Sequence, residues 1–574
     1  MRRGRLYLLV AVASVVELLA GHGPVAAQGT APAAQGTAPT TQASAPAAPQ
    51  PLPPVASDDP WFGAVQSIAA PQAALNAGVK WQRLIFAWNQ IQPDGPGDFK
   101  QGDYSDAQVD AQIAQGLPVV GITLYTPRWA ARDPQYDARS VPKNLDLPID
   151  NPQNYFAAYM KQLVAKYRGR IDTWIIYNEP DMYAEPNDYR TFAGSPIDYY
   201  LLLKTAYLAA KSANPNARIV MAGYTYWWDH ENHRPLYFQR VLDAIGGDPT
   251  AAANNWFFDV VDVHAYANPL NSYTIPVLFR RALQAKGLDK PIWITESNVL
   301  VKNDPRVGAG DGPFRATQDE QASYVIESVA LARAAGVQRY SIYKMQDQYP
   351  ENGDEYWGLT RNDGSLRPAY VAYQVAVKYL QQPRSAVYYW GGSQVPPTEQ
   401  EITTLLASNT NRYQWPWPAP LNVVVLDRGT QRVTVIWNAS PQPLQVSLPA
   451  AGRSAQIVDK YGQVRTVTPT NGGYPLDLEP SRNNSDPRDT SLYLVGGSPW
   501  IVVEDLGQSP APAPAATADA NGRTIDADAA ELPDREARAR GGDRLAVLQP
   551  AREAQRDEPA ALRRDGRRAD ADRG

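Results

Sequence analysis

The stretch T-W-I-I-Y-N-E-P, residues 173–180, decides how the rest of the chain is read. Trp174, Ile175, Ile176 and Tyr177 make an apolar run typical of a strand buried on both faces. It ends in a polar pair, Asn178 and Glu179, and Pro180 cannot donate to a sheet ladder, so the strand stops there. A carboxylate at the end of an apolar strand is costly to bury unless something uses it. A second stretch, P-I-W-I-T-E-S at residues 291–297, repeats the design with Glu296 at the strand end.

Outward from these two strands, residues 61 to about 380 alternate strand and helix. The expected strands are 61–68, 81–86, 118–125, 173–178, 217–224, 259–266, 291–296 and 339–345. Helix signals fall between them. Asn151-Pro152 reads as a cap and first turn, Ser195-Pro196 opens the next helix, and Thr317 with Glu320 forms a capping box closed by Gly336. Gly78, Gly116 and Gly287 stand where other helices should stop. Eight strands alternating with helices specify an α/β fold, a (β/α)8 TIM barrel over residues 58–382. A doubly wound sheet is the rival, but no G-x-G-x-x-G follows the first strand. In a barrel, Glu179 and Glu296 would sit at the reactive ends of strands four and seven.

After residue 382 short strands recur without helices, at 421–426, 432–437, 444–448, 455–459, 464–468, 474–478, 492–495 and 500–503. Gly, Pro and Asn turns separate them, so residues 383–507 should form a smaller all-β sandwich docked on the barrel. Residues 508–574 are rich in Ala, Pro, Asp and Arg and are expected to be a disordered tail. At the other end, Arg2, Arg3 and Arg5 precede an apolar run over 6–16 and small residues near Ala27. That pattern reads as a secretory signal peptide over 1–27, which places the protein outside the cell. Residues 28–57 read as an Ala/Pro/Thr-rich linker that buries nothing.

Composition removes several functions. The chain of 574 residues has no cysteine, which excludes disulfides, thiolate catalysis and Cys-bound zinc. Its four histidines are too scattered for a His-rich metal centre, so no metal or cofactor is expected. A formal charge of −5 without a basic body argues against a nucleic-acid partner. No segment is long and apolar enough to keep the chain in a membrane once the signal is removed. The oligomeric state is not legible.

Paired carboxylates suit glycosidic cleavage, where one acid protonates the leaving oxygen and one carboxylate attacks or activates water. Asn178 is placed to hydrogen-bond a sugar hydroxyl. Arg83, within W-Q-R-L-I-F-A-W, needs a carboxylate partner, either a catalytic one or a structural one at the rim. His264 and Tyr266 share a face of the sixth strand. Tyr266 is the better candidate to touch Glu296, and His264 fits a site or a hydrogen-bonded core position. Aromatic residues crowd the expected mouth loops, among them Trp88, Tyr125, Trp129, Tyr183, Trp227, Trp228, Tyr349, Tyr356 and Trp357. Their flat faces match pyranose C–H faces. Asn438-Ala439-Ser440 is a glycosylation sequon.

These motifs together resemble the clan A glycoside hydrolases, most closely family 39 and family 5-like enzymes with a C-terminal β-sandwich. The likeness rests on Asn178-Glu179-Pro180, on Glu296 in I-T-E-S, on R-L-I-F-A-W-N-Q-I-Q-P at 83–93, on V-H-A-Y at 263–266 and on G-L-T-R-N-D-G-S-L-R-P-A-Y at 358–370. It implies Glu179 as acid/base and Glu296 as nucleophile of a retaining β-glycosidase acting on a polysaccharide or oligosaccharide. The eighth strand departs from the pattern. Where many members place a tryptophan, this chain has Y-S-I-Y-K-M-Q-D, with Tyr343 and Lys344 in that neighbourhood. Lys344 would favour an acidic or substituted glycan. The same site would serve a transglycosylase. A glycan-binding protein on an inactive barrel is the rival without catalysis.

Overall fold

The computed structural model describes residues 49–184, 189–307, 314–347, 356–409, 415–484, 492–507 and 546–548. The expected signal peptide, most of the linker, most of the tail and Tyr349 lie outside them.

Eight strands form one all-parallel sheet: β1 (Phe62–Ala64), β2 (Gln82–Ala87), β3 (Val119–Leu124), β4 (Thr173–Ile176), β5 (Arg218–Tyr224), β6 (Val260–Tyr266), β7 (Ile292–Asn298) and β8 (Arg339–Ile342). Neighbours in sequence are neighbours in the sheet, and β1 pairs with β8. A parallel bridge from Gly63 to Trp81 joins β1 to the start of β2 and closes the barrel. Around it run α1 (Pro71–Ala77), α2 (Asp106–Ala114), α3 (Tyr155–Tyr167), α4 (Pro196–Ala213), α5 (Tyr237–Gly246), α6 (Asn271–Gln284), α7 (Gln318–Ala334) and α8 (Pro368–Leu380). Each strand is buried on both faces, which is why its sequence is apolar without alternation.

The capping signals act largely where expected. Ser195 with Asp198 and Thr317 with Glu320 form reciprocal capping boxes on α4 and α7. Asn151-Pro152 does not start α3; Asn154 does, its side chain accepting from the Ala157 amide. The first strand is also shorter than expected. Gln66 adopts a left-handed φ of 53° and a 3-10 turn at Ser67–Ala69 takes the chain out of the sheet.

The second domain has two antiparallel sheets. The larger contains β9 (Ser385–Trp390), β10 (Leu421–Asp427), β11 (Gln431–Asn438), β16 (Trp500–Asp505), β13 (Ala455–Val458) and β14 (Val464–Val467), in that spatial order. The smaller contains β15 (Gly473–Leu478), β12 (Leu444–Pro449) and β17 (Ala546–Leu548). Three sequence expectations are corrected here. Residues 546–548, within the stretch read as a disordered tail, add an edge strand to β12. Residues 492–495 are not a strand: Leu494 and Val495 leave the sandwich to pack with Ala267, Val299, Ala316 and Tyr324 of the barrel. Residues 49–57 of the linker are partly anchored, since the Gln374 side chain bonds both the amide (2.9 Å) and the carbonyl (3.0 Å) of Leu52. The sequon is spoken for as well: Asn438 is buried, and its amide nitrogen donates to the Gln442 carbonyl at 2.6 Å.

The sandwich docks mainly on α7. Lys460 reaches Ser323 at 3.0 Å and Asp319 at 2.8 Å. Gly496 donates its amide to the buried Glu327 carboxylate at 3.1 Å. A Cβ at Gly496 would lie 2.7 Å from Glu327 Oε1 and closer still to Trp437, so only glycine lets the two surfaces meet.

Candidate active site

The candidate acids and their partners all come from strands of the barrel or the residues just after them, the glutamates from carboxyl ends and Arg83 from the first half of its strand. Glu179 follows β4, Glu296 lies in β7, Arg83 in β2, and His264 and Tyr266 in β6. Both glutamates are buried, with 1% and 5% of their surface exposed. Strand four ends because Tyr177 and Glu179 take left-handed φ values of 73° and 45°. Such conformations cost a non-glycine residue energy and persist only where the surroundings enforce them. Here the Glu179 amide donates to the Gly223 carbonyl at 3.0 Å, and Thr191 Oγ1 donates to the Glu179 carbonyl.

Glu296 is held from two sides. The Arg83 guanidinium donates to Oε1 and the Tyr266 hydroxyl donates to Oε2. Burial pushes this carboxyl upward, but Arg83 and the Tyr266 bond outweigh it and hold its pKa below the ordinary glutamate value. Glu179 stands in the opposite condition. Burial first, then the negative charges of Glu296 and Asp181, push its pKa well above the ordinary value. Its Oε1 lies 2.6 Å from His264 Nδ1, while its buried Oε2 has no hydrogen-bond partner among the described residues. One carboxyl is therefore biased toward the ionised form and the other toward the protonated form, each by its own surroundings.

His264 stands between them, fully buried, with Nδ1 also 3.4 Å from Glu296 Oε2. Burial lowers its pKa to about 4, so it is neutral at ordinary pH and positions groups rather than carrying charge. Behind it, Asp262 accepts from the Thr295 amide at 3.0 Å and hydroxyl at 2.5 Å, and burial raises its pKa to about 8. There is room for the imidazole because β5 carries glycine: a Cβ at Gly223 would collide with the His264 ring. Asn178 is half-buried and accepts from Arg83 Nη1 at 3.5 Å, at the edge of bonding distance.

Trp357 lies beside the site, its ring 5.0 Å from that of Tyr266, and Tyr343 lies 5.9 Å from Tyr266. Two other tryptophans do not join it. Trp88 is a core residue, stacked on Tyr159 at 5.1 Å with its indole nitrogen on Gln92. Trp129 packs edge-on to Trp88 and Tyr155 and donates to the Gln92 carbonyl at 2.7 Å. Both lie in the loops after β2 and β3, but helix α3 offers them an apolar face and they take it. Lys344 is fully buried, its Nζ 5.3 Å from the Tyr343 ring centre, so it presents no cation to solvent. Sequence reading missed Asp181, Gly223 and Thr295. Only Gly223 carried a signal, since glycine inside a strand marks close approach.

Glu179, His264 and Glu296 present donor atoms all within 4.8 Å of one another, a spacing a cation could use. The donor set argues otherwise, because Arg83 already fills Glu296 Oε1 with a fixed positive charge that would repel a dication. No helix among the described residues is long and apolar enough to cross a membrane.

Residues 153–373, running from α3 to α8, match the family described as "Glycosyl hydrolase catalytic core". A curated relative, Beta-glucosidase 40 of Arabidopsis thaliana, is 24% identical over 192 residues, 33% of this chain and 35% of its own length. The chain thus spans about a third of that relative. Among solved structures, a family 39 glycoside hydrolase from Bacteroides cellulosilyticus WH2 superposes with a TM-score of 0.53 at 16% identity, covering 78% of this chain and 81% of that one. A GH30 endoxylanase from Clostridium papyrosolvens C71 gives 0.47 at 15% identity, covering 79% and 97%. Residues 153–373 of the barrel thus match a glycosyl hydrolase catalytic core, and the fold is shared with the family 39 structure.

Proposed function

We propose that this chain, whose residues 153–373 match a glycosyl hydrolase catalytic core, is a secreted retaining β-glycosidase acting on a polysaccharide or oligosaccharide. The observation that carries the reading is the unequal pair of carboxyls with donor oxygens within 4.8 Å of each other. Retaining enzymes hold their carboxyl groups about 5–5.5 Å apart, whereas inverting ones need about 6.5–9.5 Å to admit a water. Glu296, kept ionised by Arg83 and Tyr266, attacks the anomeric carbon. Glu179, kept protonated by burial and by the neighbouring negative charge, gives its proton to the departing oxygen. Forming the glycosyl ester at Glu296 removes that negative charge, so the Glu179 pKa falls and it can take a proton from the incoming water. Its unpartnered Oε2 is the oxygen left to face substrate. Export is supported by the basic and apolar N-terminal pattern of the sequence.

The test is proton NMR of the first-formed sugar from β-linked aryl glycosides and polysaccharides. The expected product has the substrate's anomeric configuration. Seeing the inverted anomer first, or a mechanism-based label on any carboxyl other than Glu296, would overturn the mechanism.

A further inference from the structure

Strands β9 and β10 of the sandwich are antiparallel neighbours, which a turn of about two to five residues could join. Residues 391–420 connect them instead, and connections that long are uncommon in compact domains. This one carries a helix, α9 (Glu399–Ala407), that lies on the barrel. Arg281 of α6 donates to Thr403 Oγ1 at 3.0 Å and to the Glu399 carboxylate at 2.6 Å. Beyond α9 come two buried tryptophans, each fixed by its indole N–H. Trp415 donates to the Leu406 carbonyl at 3.1 Å and Trp417 to the Tyr493 carbonyl at 2.9 Å.

The connection meets the loop after β5 at Tyr226. The rings of Trp415 and Tyr226 stack at 4.7 Å, and Asn409 Nδ2 donates to the Tyr226 hydroxyl at 2.9 Å. His230 stacks with the same phenol at 5.7 Å. Tyr226 has φ 66° and ψ −50°, a conformation that a non-glycine residue keeps only where its surroundings enforce it.

The backbone of this loop is gripped from the side of the acid. Asp181 Oδ2 accepts from the Tyr226 amide at 3.0 Å, the Thr225 amide at 2.8 Å and the Thr225 hydroxyl at 2.9 Å. Asp181 is fully buried two residues past Glu179, and its negative charge is one of those that raise the Glu179 pKa. Tyr226 also precedes Trp227, whose ring stands 6.3 Å from that of Tyr266, the phenol bonded to Glu296. Packed rings and hydrogen bonds thus run without a break from the second domain to the strand end of the acid. We propose that Trp415 and Asn409 are positioning residues for that acid: the sandwich braces Tyr226, and Tyr226 with Thr225 fixes the Asp181 carboxylate beside Glu179. The role given to the brace rests on the glycosidase reading above; the contact itself does not.

The experiment measures kcat/KM of the full chain on dinitrophenyl and phenyl β-glycosides of the sugar it cleaves fastest, well below each variant's Tm. A displaced acid harms the poor phenyl leaving group and spares the activated one. Trp415→Ala should lower kcat/KM about tenfold or more on the phenyl glycoside and less than about threefold on the dinitrophenyl one, the scale of a misplacement rather than a deletion. Trp415→Phe should restore most of the loss. Gly496→Ala, in the same seam against Glu327 of α7, is the control and should show no such selectivity. If Trp415→Ala melts too early to assay, Tyr226→Phe decides, since it removes only the hydroxyl held by Asn409. It should show the same selective loss at about two- to fivefold, the scale of one weak hydrogen bond. Equal losses on both glycosides, or none, would overturn the proposal. Glu179→Gln assayed alongside separates the two readings. If it is selective and the brace variants are not, the brace alone fails; if it is unselective too, the acid role of Glu179 fails first.

Discussion

Two of the buried glutamates, Glu296 and Glu327, are treated in opposite ways. At the barrel mouth, Glu296 is met by a guanidinium and a phenol, which hold it ionised. At the seam between barrel and sandwich, Glu327 is fully buried and accepts one bond, from the Gly496 amide, while its Oε1 has no partner among the described residues. Burial pushes the Glu327 pKa well above the ordinary value, with that amide and the charge of Lys460 opposing. A buried charge persists only where other charges compensate it. The mouth supplies that compensation and gains a nucleophile. The seam does not, and burial drives its carboxyl toward the neutral form.

The contrast can be broken most severely at the mouth. Glu296→Gln should remove turnover on every substrate, a fall on the order of 10⁴–10⁶-fold judged from other covalent nucleophiles. Retained steady turnover would show that Glu296 does not form the intermediate. Glu179→Gln should fail more selectively. Substrates with poor leaving groups should lose about 10²–10⁴-fold, the worth of a general acid, while activated aryl glycosides should still be cleaved once and then stall. A burst of aryl release reads this directly, and equal losses on both substrate classes would refute the acid role.

The pH profile sharpens the same comparison. Glu296, with its lowered pKa, stays ionised down to pH values where an ordinary glutamate is protonated, so the acid limb of kcat/KM should lie below that of a typical carboxylate. Glu179, with its raised pKa, keeps its proton until well above the ordinary range, which sets the alkaline limb. Glu179→Gln should remove the alkaline limb and leave the acid one. An unchanged bell would assign that limb to another group.

At the seam the effects are on stability. Gly496→Ala would drive a methyl into Trp437 and Glu327 and should cost about 1–3 kcal/mol, seen as a lower Tm with the barrel's KM unchanged. Glu327 has a raised folded pKa, so the native state binds more protons than the unfolded one above the ordinary glutamate pKa. Its contribution to stability therefore falls as pH rises from there toward the folded value. Glu327→Gln should be near neutral at low pH and stabilising at pH 8, measured as a Tm difference that grows with pH. A constant difference would mean that Glu327 is ionised in the fold. The smallest effect is expected at Gln374→Ala, which frees residues 49–57 by removing bonds worth about 0.5–1.5 kcal/mol each, without touching activity.

The barrel was legible because burial on both faces of a parallel sheet forces continuous apolar runs, and each of the eight expected strands lies within a few residues of an observed one. Helix caps were legible for a local reason too, since a Ser or Thr and an acid three residues on satisfy each other's backbone. Where a local signal misled, a tertiary partner had intervened. Residues 492–495 look like a strand, yet Leu494 and Val495 find a better apolar partner in the barrel. Trp88 and Trp129 look like mouth residues, yet aromatic residues of α3 pack against them and bury Trp88.

For the site, the sequence by itself determined that two glutamates end apolar strands, that Arg83 must find a carboxylate, and that His264 and Tyr266 share a face. Those statements depend on residue type and strand period alone. Only the tertiary structure decided that Arg83 meets Glu296 rather than Glu179, that His264 spans the two, and that Asp181 adds its charge behind the acid. It also decided that Lys344, a cation on paper, is sealed from solvent. A charge's partner and its exposure depend on which strands the barrel closure makes neighbours, and residues far apart in the chain carry no local record of that closure.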